Sequence, residues 1–222
     1  MIPDISPKFS AVIFDLDGTL ADTLDDISGS MNRVLKKHGY PERPVNDYKL
    51  LVGRGLDNLV STALPEYARQ KEIVENCLYE MVEDYDRNCL VKTHLYDGIS
   101  EVLLELQNRG IKLAVFSNKA EPLTIKIVTA LIRNIDFVSI TGARQGLPKK
   151  PDPAGALQIC ALMKVSPAEV IYVGDSDVDM VTGSKAGMYP LGVSWGFRST
   201  EELINNGAAR IVKNPLEIPG LL

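Results

Sequence analysis

Asp15 and Asp17 stand one residue apart at the end of an apolar run, and Gly18 follows at once. A glycine there lets the chain turn sharply enough to bring both carboxylates toward one pocket. Further along come Ser117 and Asn118, then Lys149 and Lys150, then Asp175, Asp177 and Asp179. Carboxylates taken out of water in a group need a compensating cation or proton, and a hard, oxygen-rich donor set suits Mg²⁺. Asp15 and Asp175 are the side chains expected to ligate it. A phosphoryl group bound there would have its charge met by Mg²⁺, by Lys150, and by Ser117 with backbone N–H groups. Asp15 could then attack phosphorus, while Asp17 gives a proton to the leaving alcohol and later takes one from water.

The elements that must hold these residues can be read from hydrophobic patterning. Phe9 to Leu16 is a β-branched and aromatic run of the kind that forms a buried parallel strand. Ile111 to Phe116, Phe137 to Ile140, Val170 to Val173 and Tyr189 to Val193 repeat the pattern, each after a helical stretch. Strands alternating with helices predict an α/β fold, a doubly wound and mostly parallel sheet. In such sheets ligands bind beyond the carboxyl ends of the strands, where the chemical residues above all fall. Residues 21–95 break the rhythm, with helical periodicity, breakers at Gly39 to Pro44, Gly53 to Gly55 and Leu64-Pro65, and no convincing strand. The expected organisation is a core of 1–20 and 96–222 with an all-helical cap at 21–95.

Four segments, "DLDGTL" at 15–20, "SN" at 117–118, "KPDP" at 150–153 and "GDSDVD" at 174–179, resemble the ordered motifs of the haloacid dehalogenase superfamily across nearly the whole chain. The resemblance implies a Rossmann-like core and a cap that closes over the site. It makes Asp15 the nucleophile and Asp17 the acid/base that also offers a backbone carbonyl to Mg²⁺. Ser117, Asn118 and Lys150 would hold the phosphoryl group, and Asp175 would ligate the metal. Thr19 and Asp179 would support those ligands. Lys150 is preferred over its neighbour Lys149 because it abuts the proline, as in the family pattern. The segment "HLYDGI" departs from the family in having Leu95, not proline, before Tyr96.

Dehalogenases and phosphonate-cleaving members lack the second aspartate of the first motif, so Asp17 points to phosphate esters. "DGTLADTLDDI", "LVGRGLDNL" and "GDSDVDM" are most similar to phosphoglycolate phosphatases, which implies a Mg²⁺-dependent phosphatase acting on 2-phosphoglycolate. Arg54, between Gly53 and Gly55, is the cap residue expected to meet the substrate carboxylate. The rival readings are a sugar-phosphate mutase of the β-phosphoglucomutase kind, a broad-range sugar, nucleotide or pyrophosphate phosphatase, and a binding module, which should have lost Asp15 or Asp17. A calcium loop over "DLDGTLADTLDD" fails because Leu20 occupies the position that needs glycine.

The 222 residues carry 45% hydrophobic and 24% charged side chains with a net charge of −5, the balance of an ordinary globular enzyme. An acidic excess argues against a nucleic-acid partner, and a small phosphorylated metabolite is expected instead. Cys77, Cys89 and Cys160 form no CxxC pair, which suggests a reducing cytoplasm. Met1 to Ser10 lacks the layout of a signal peptide, and no apolar stretch is long enough for a membrane helix. A monomer or homodimer is expected. His38 and His94, with no partnering ligands, read as surface or capping residues.

Overall fold

The apolar runs become parallel strands because both their faces are covered. The computed structural model describes residues 9–222, so the reading of Met1 to Ser10 lies largely outside them. In chain order the elements are β1 (Ala11–Phe14), β2 (Ala21–Asp22), α1 (Leu24–Lys37), α2 (Leu56–Ala63), α3 (Lys71–Asn88) and β3 (His94–Leu95). Then follow α4 (Ile99–Asn108), β4 (Lys112–Ala120), α5 (Glu121–Leu131), β5 (Phe137–Ala143), α6 (Ala154–Met163), β6 (Val170–Gly174), α7 (Asp177–Lys185), β7 (Tyr189–Val193), α8 (Thr200–Asn205) and β8 (Arg210–Val212).

Six strands form one sheet in the order β5-β4-β1-β6-β7-β8, each pair parallel. The chain leaves β1 to one side for β4 and β5 and returns to the other side for β6, so the carboxyl ends of β4 and β6 flank that of β1. Alternation along β1 divides the core. Val12 and Phe14 pack with α4 and α5 residues such as Leu103 and Ile127, whereas Ala11 and Ile13 pack with α6 residues such as Ile159. Each fully buried Val, Leu, Ile or Phe side chain among them contributes roughly 1.5–3 kcal/mol.

Several strand assignments differ from expectation, among them β2 and β3, which fall at the ends of the segment expected to be all-helical. β8 is missing from the sequence reading because Arg210–Val212 buries only Val212, too little to form an apolar run. β4 continues past Phe116 through Ser117, Asn118 and Lys119, with an irregularity before Ala120 pairs with Ala143.

Between β1 and α4 the chain is helical apart from the two-residue strands β2 and β3, which pair antiparallel. Tyr85, Met81 and Cys77 fall every fourth residue on α3 and are fully buried, with Met31 and Leu35 of α1 in the same core. Asp26, a buried carboxylate in the first turn of α1, accepts from Lys92 N at 2.9 Å, from Thr93 N at 2.8 Å and from the Thr93 hydroxyl at 2.8 Å. That satisfied charge ties the two ends of the helical segment together. Among the described residues no helix is long and apolar enough to cross a membrane.

Candidate active site

Strand register brings the carboxylates to one rim. Phe14 is level with Val115 on one side and Val173 on the other, so Asp15, Ser117 and Asp175 all emerge just beyond the same line. Gly18 takes φ +82°, and a Cβ there would come within 3.0 Å of Asp175 Oδ1. Glycine therefore provides both the turn and the close approach. Thr19 donates to Asp175 Oδ1 at 3.2 Å and the Phe197 N–H to Oδ2 at 2.7 Å.

Lys150 enters beneath this rim. Its ammonium lies 2.9 Å from Asp15 Oδ1 and 2.6 Å from Asp179 Oδ1, all three side chains being buried. Asp179 also accepts from the Ser176 hydroxyl at 2.5 Å, capping α7. Burial, and then repulsion from Asp179, holds the Asp15 carboxyl well above the usual carboxylate range. The same two causes push Asp175 up to about 7. Burial works against the Lys150 charge, but Asp15 and Asp179 outweigh it and hold the ammonium. Lys149, by contrast, is solvent-facing and pairs with Asp57 of α2 at 2.6 Å.

A hard divalent cation fits this cluster. Asp15, Asp175 and Asp179 each offer a carboxylate oxygen within 4.8 Å of the others. Asp15 Oδ1 is buried, and its charged neighbour is the Lys150 ammonium at 2.9 Å, which Asp179 shares. Three buried carboxylates around one ammonium leave an excess of negative charge, the environment that oxygen-ligated Mg²⁺ satisfies.

The helical segment sits directly over the rim. Ile27, Val52, Gly53, Gly55, Leu56 and Leu59 cover a space whose floor is Asp15, Asp17, Ser117, Asn118 and Lys119. The space left open there is small, about 30 Å³. The contact is held by Arg198, which donates to the Lys49 carbonyl and to Val52 O at 3.0 Å.

Two side chains are placed otherwise than expected. Arg54 is not among the lining residues. Gly53 and Gly55, both at positive φ, turn the backbone toward the pocket, while the Arg54 guanidinium reaches Asp177 Oδ2 at 2.5 Å and stays 52% exposed. Asn118 spends its amide on loops, donating to Gly53 O at 2.9 Å and Lys150 O at 3.0 Å and accepting from Lys150 N at 2.8 Å. Its side chain thus joins cap to core and is not free for a phosphoryl oxygen.

A family model for haloacid dehalogenase-like hydrolases matches residues 12–193. The chain belongs to that family. A phosphoglycolate phosphatase of Nitrosospira multiformis is 30% identical over 216 residues, covering 96% of this chain and 95% of the relative. An N-acetylmuramic acid 6-phosphate phosphatase of Pseudomonas putida is 31% identical, with 95% of each chain covered. A crystal structure from Lactobacillus delbrueckii subsp. bulgaricus superposes with a TM-score of 0.91 at 28% identity, covering 97% of this chain and 99% of that one.

In this haloacid dehalogenase-like hydrolase, sequence reasoning missed three residues around Asp17. The Thr23 hydroxyl donates to Asp17 Oδ1 at 2.6 Å, the Lys119 ammonium lies 2.8 Å from the same oxygen, and Tyr85 accepts from Lys119 at 2.9 Å. Lys119 follows the Ser117-Asn118 pair directly, which was the available signal. Tyr85 carried none, since its helical spacing marks it as core.

Proposed function

We propose that this hydrolase cleaves small phosphomonoesters through an aspartyl-phosphate, with 2-phosphoglycolate as the leading substrate. The chain is a phosphoric monoester hydrolase, and the convergence of Asp15, Asp175 and Lys150 at one buried rim carries the mechanistic reading. An Asp15 oxygen attacks phosphorus as the ester P–O bond breaks, and Asp17 supplies the proton to the departing alkoxide. Water then attacks the same phosphorus, Asp17 takes its proton, and the bond to Asp15 breaks to release phosphate. Mg²⁺, held by Asp15, Asp175 and the Asp17 carbonyl, would supply charge neutralisation at the phosphoryl oxygens. Ser117, Lys150 and the backbone around Asn118 would grip the same oxygens, and Thr19 and Asp179 would keep Asp175 and Lys150 in place.

The similarity to a phosphoglycolate phosphatase supports this substrate, and the similarity to an N-acetylmuramic acid 6-phosphate phosphatase supports a sugar phosphate as its rival. Released phosphate from a panel of phosphorylated acids, sugars and nucleotides, with Mg²⁺ and after chelation, tests this. A sugar phosphate turned over faster than every phosphorylated acid would overturn the substrate assignment, and transfer of phosphate to a second sugar in place of water would favour a mutase.

A further inference from the structure

Tyr85 belongs to α3 of the helical cap, yet its hydroxyl ends on a core side chain. It accepts a hydrogen bond from the Lys119 ammonium at 2.9 Å, and that ammonium also stands 4.6 Å from the Tyr85 ring centroid. Lys119 in turn is 2.8 Å from Asp17 Oδ1, the oxygen that also receives the Thr23 hydroxyl. All four side chains are buried. A buried ammonium is tolerated only where partners surround it, so its position is set by Asp17 on one side and by the Tyr85 hydroxyl and ring on the other.

Both donors fall on Oδ1, which leaves Oδ2 as the Asp17 oxygen available to the pocket that this residue lines. A general acid works only when its proton lies within hydrogen-bond reach of the leaving oxygen, and a carboxyl free to turn about its last bond loses that aim. We propose that Tyr85 and Lys119 are positioning residues for Asp17: with the cap seated, Tyr85 fixes Lys119, and Lys119 with Thr23 pins Oδ1 so that Oδ2 faces the leaving group. The cap then does more than cover the site. Lifting α3 withdraws the Tyr85 hydroxyl, so proton donation to a poor leaving group is ready only when the cap is down. The inference rests on Asp17 being the acid/base, and it deepens that reading by naming what aims it.

The test compares two esters that both lack a carboxylate, propyl phosphate, whose alkoxide needs a proton, and 4-nitrophenyl phosphate, whose phenolate does not. Wild-type turnover of both, measured first on the full chain with Mg²⁺, tests the phosphatase reading by itself. Tyr85→Phe should lower kcat for propyl phosphate about 10-fold and for the nitrophenyl ester less than about 2-fold, with KM little changed. Lys119→Met should show the same split at about 100-fold on the alkyl ester. Because Tyr85 acts through Lys119, adding Tyr85→Phe to Lys119→Met should cause no further loss. Equal losses on the two esters, a change confined to KM, or multiplying losses in the double variant would each overturn the proposal. Lys119→Met carries the ester comparison alone should Tyr85→Phe fail to fold.

Discussion

Asp179 takes the Lys150 ammonium at 2.6 Å, and neither side chain reaches solvent. The pair is crowded by Asp15, 2.9 Å from the same ammonium, and by Asp175 in the same carboxylate cluster. Asp179→Asn keeps the shape but removes one negative charge. Turnover should fall about 10- to 100-fold, the usual effect of losing a side chain that orients a metal or substrate ligand. Thermal melting should move little, because the lost ion pair is offset by relief of repulsion on Asp15 and Asp175. A large drop in melting temperature would show that the ion pair dominates.

Asp15→Asn should abolish phosphate release, since an amide cannot attack phosphorus. The Asp15 charge is disfavoured in the folded chain by burial and by Asp179. Removing it should therefore leave metal-free protein at least as stable as wild type, a trade of stability for function read by melting curves. Residual activity within about tenfold of wild type would exclude the covalent route.

Metal-free stability should fall as pH rises from about 4 to 7. Asp175 titrates at about 7 in the folded chain, held up by burial and by Asp179. Unfolded, an aspartate titrates near 4 (about 3.9). Over that window the folded chain binds more protons than the unfolded one, so deprotonation favours unfolding. Mg²⁺ should flatten the dependence by compensating the carboxylates, and Asp175→Asn should remove its own share. Melting measured from pH 5 to 8, with chelator and with Mg²⁺, checks both. A metal-free profile that rises across this range would contradict the assignment.

Arg54→Ala separates two roles for one guanidinium. In this structure Arg54 pairs with Asp177 at the exposed edge between cap and core. An exposed pair is worth about 0–1 kcal/mol, so loss of that contact alone should lower turnover of phosphoglycolate and of 4-nitrophenyl phosphate together, by less than about 5-fold. A loss of about 10- to 100-fold confined to phosphoglycolate would instead assign Arg54 to the substrate carboxylate.

Five of the six sheet strands, and the polar residues at their ends, are legible in the sequence. Apolar runs such as Val12 to Phe14 and Ile171 to Val173 are buried on both faces, and a parallel strand of that kind announces itself without reference to its partners. Asp15, Ser117 and Asp175 sit immediately beyond those runs, so strand ends and reactive residues could be located together. β8 escaped because pairing with β7, not its own composition, makes it a strand.

Which partner each polar side chain takes at the cap–core boundary is visible only in the folded chain. Lys149 and Lys150 are adjacent in sequence, yet one is solvent-facing on Asp57 and the other is buried between Asp15 and Asp179. Arg54 and Asn118 look like substrate contacts and are engaged with Asp177 and with the Gly53 carbonyl. Tyr85 reaches Lys119, 34 residues further along the chain, and through it Asp17. Hydrophobic periodicity is a local property that survives in the sequence. A buried charge chooses its partner by distance and desolvation, and those exist only once the chain has folded.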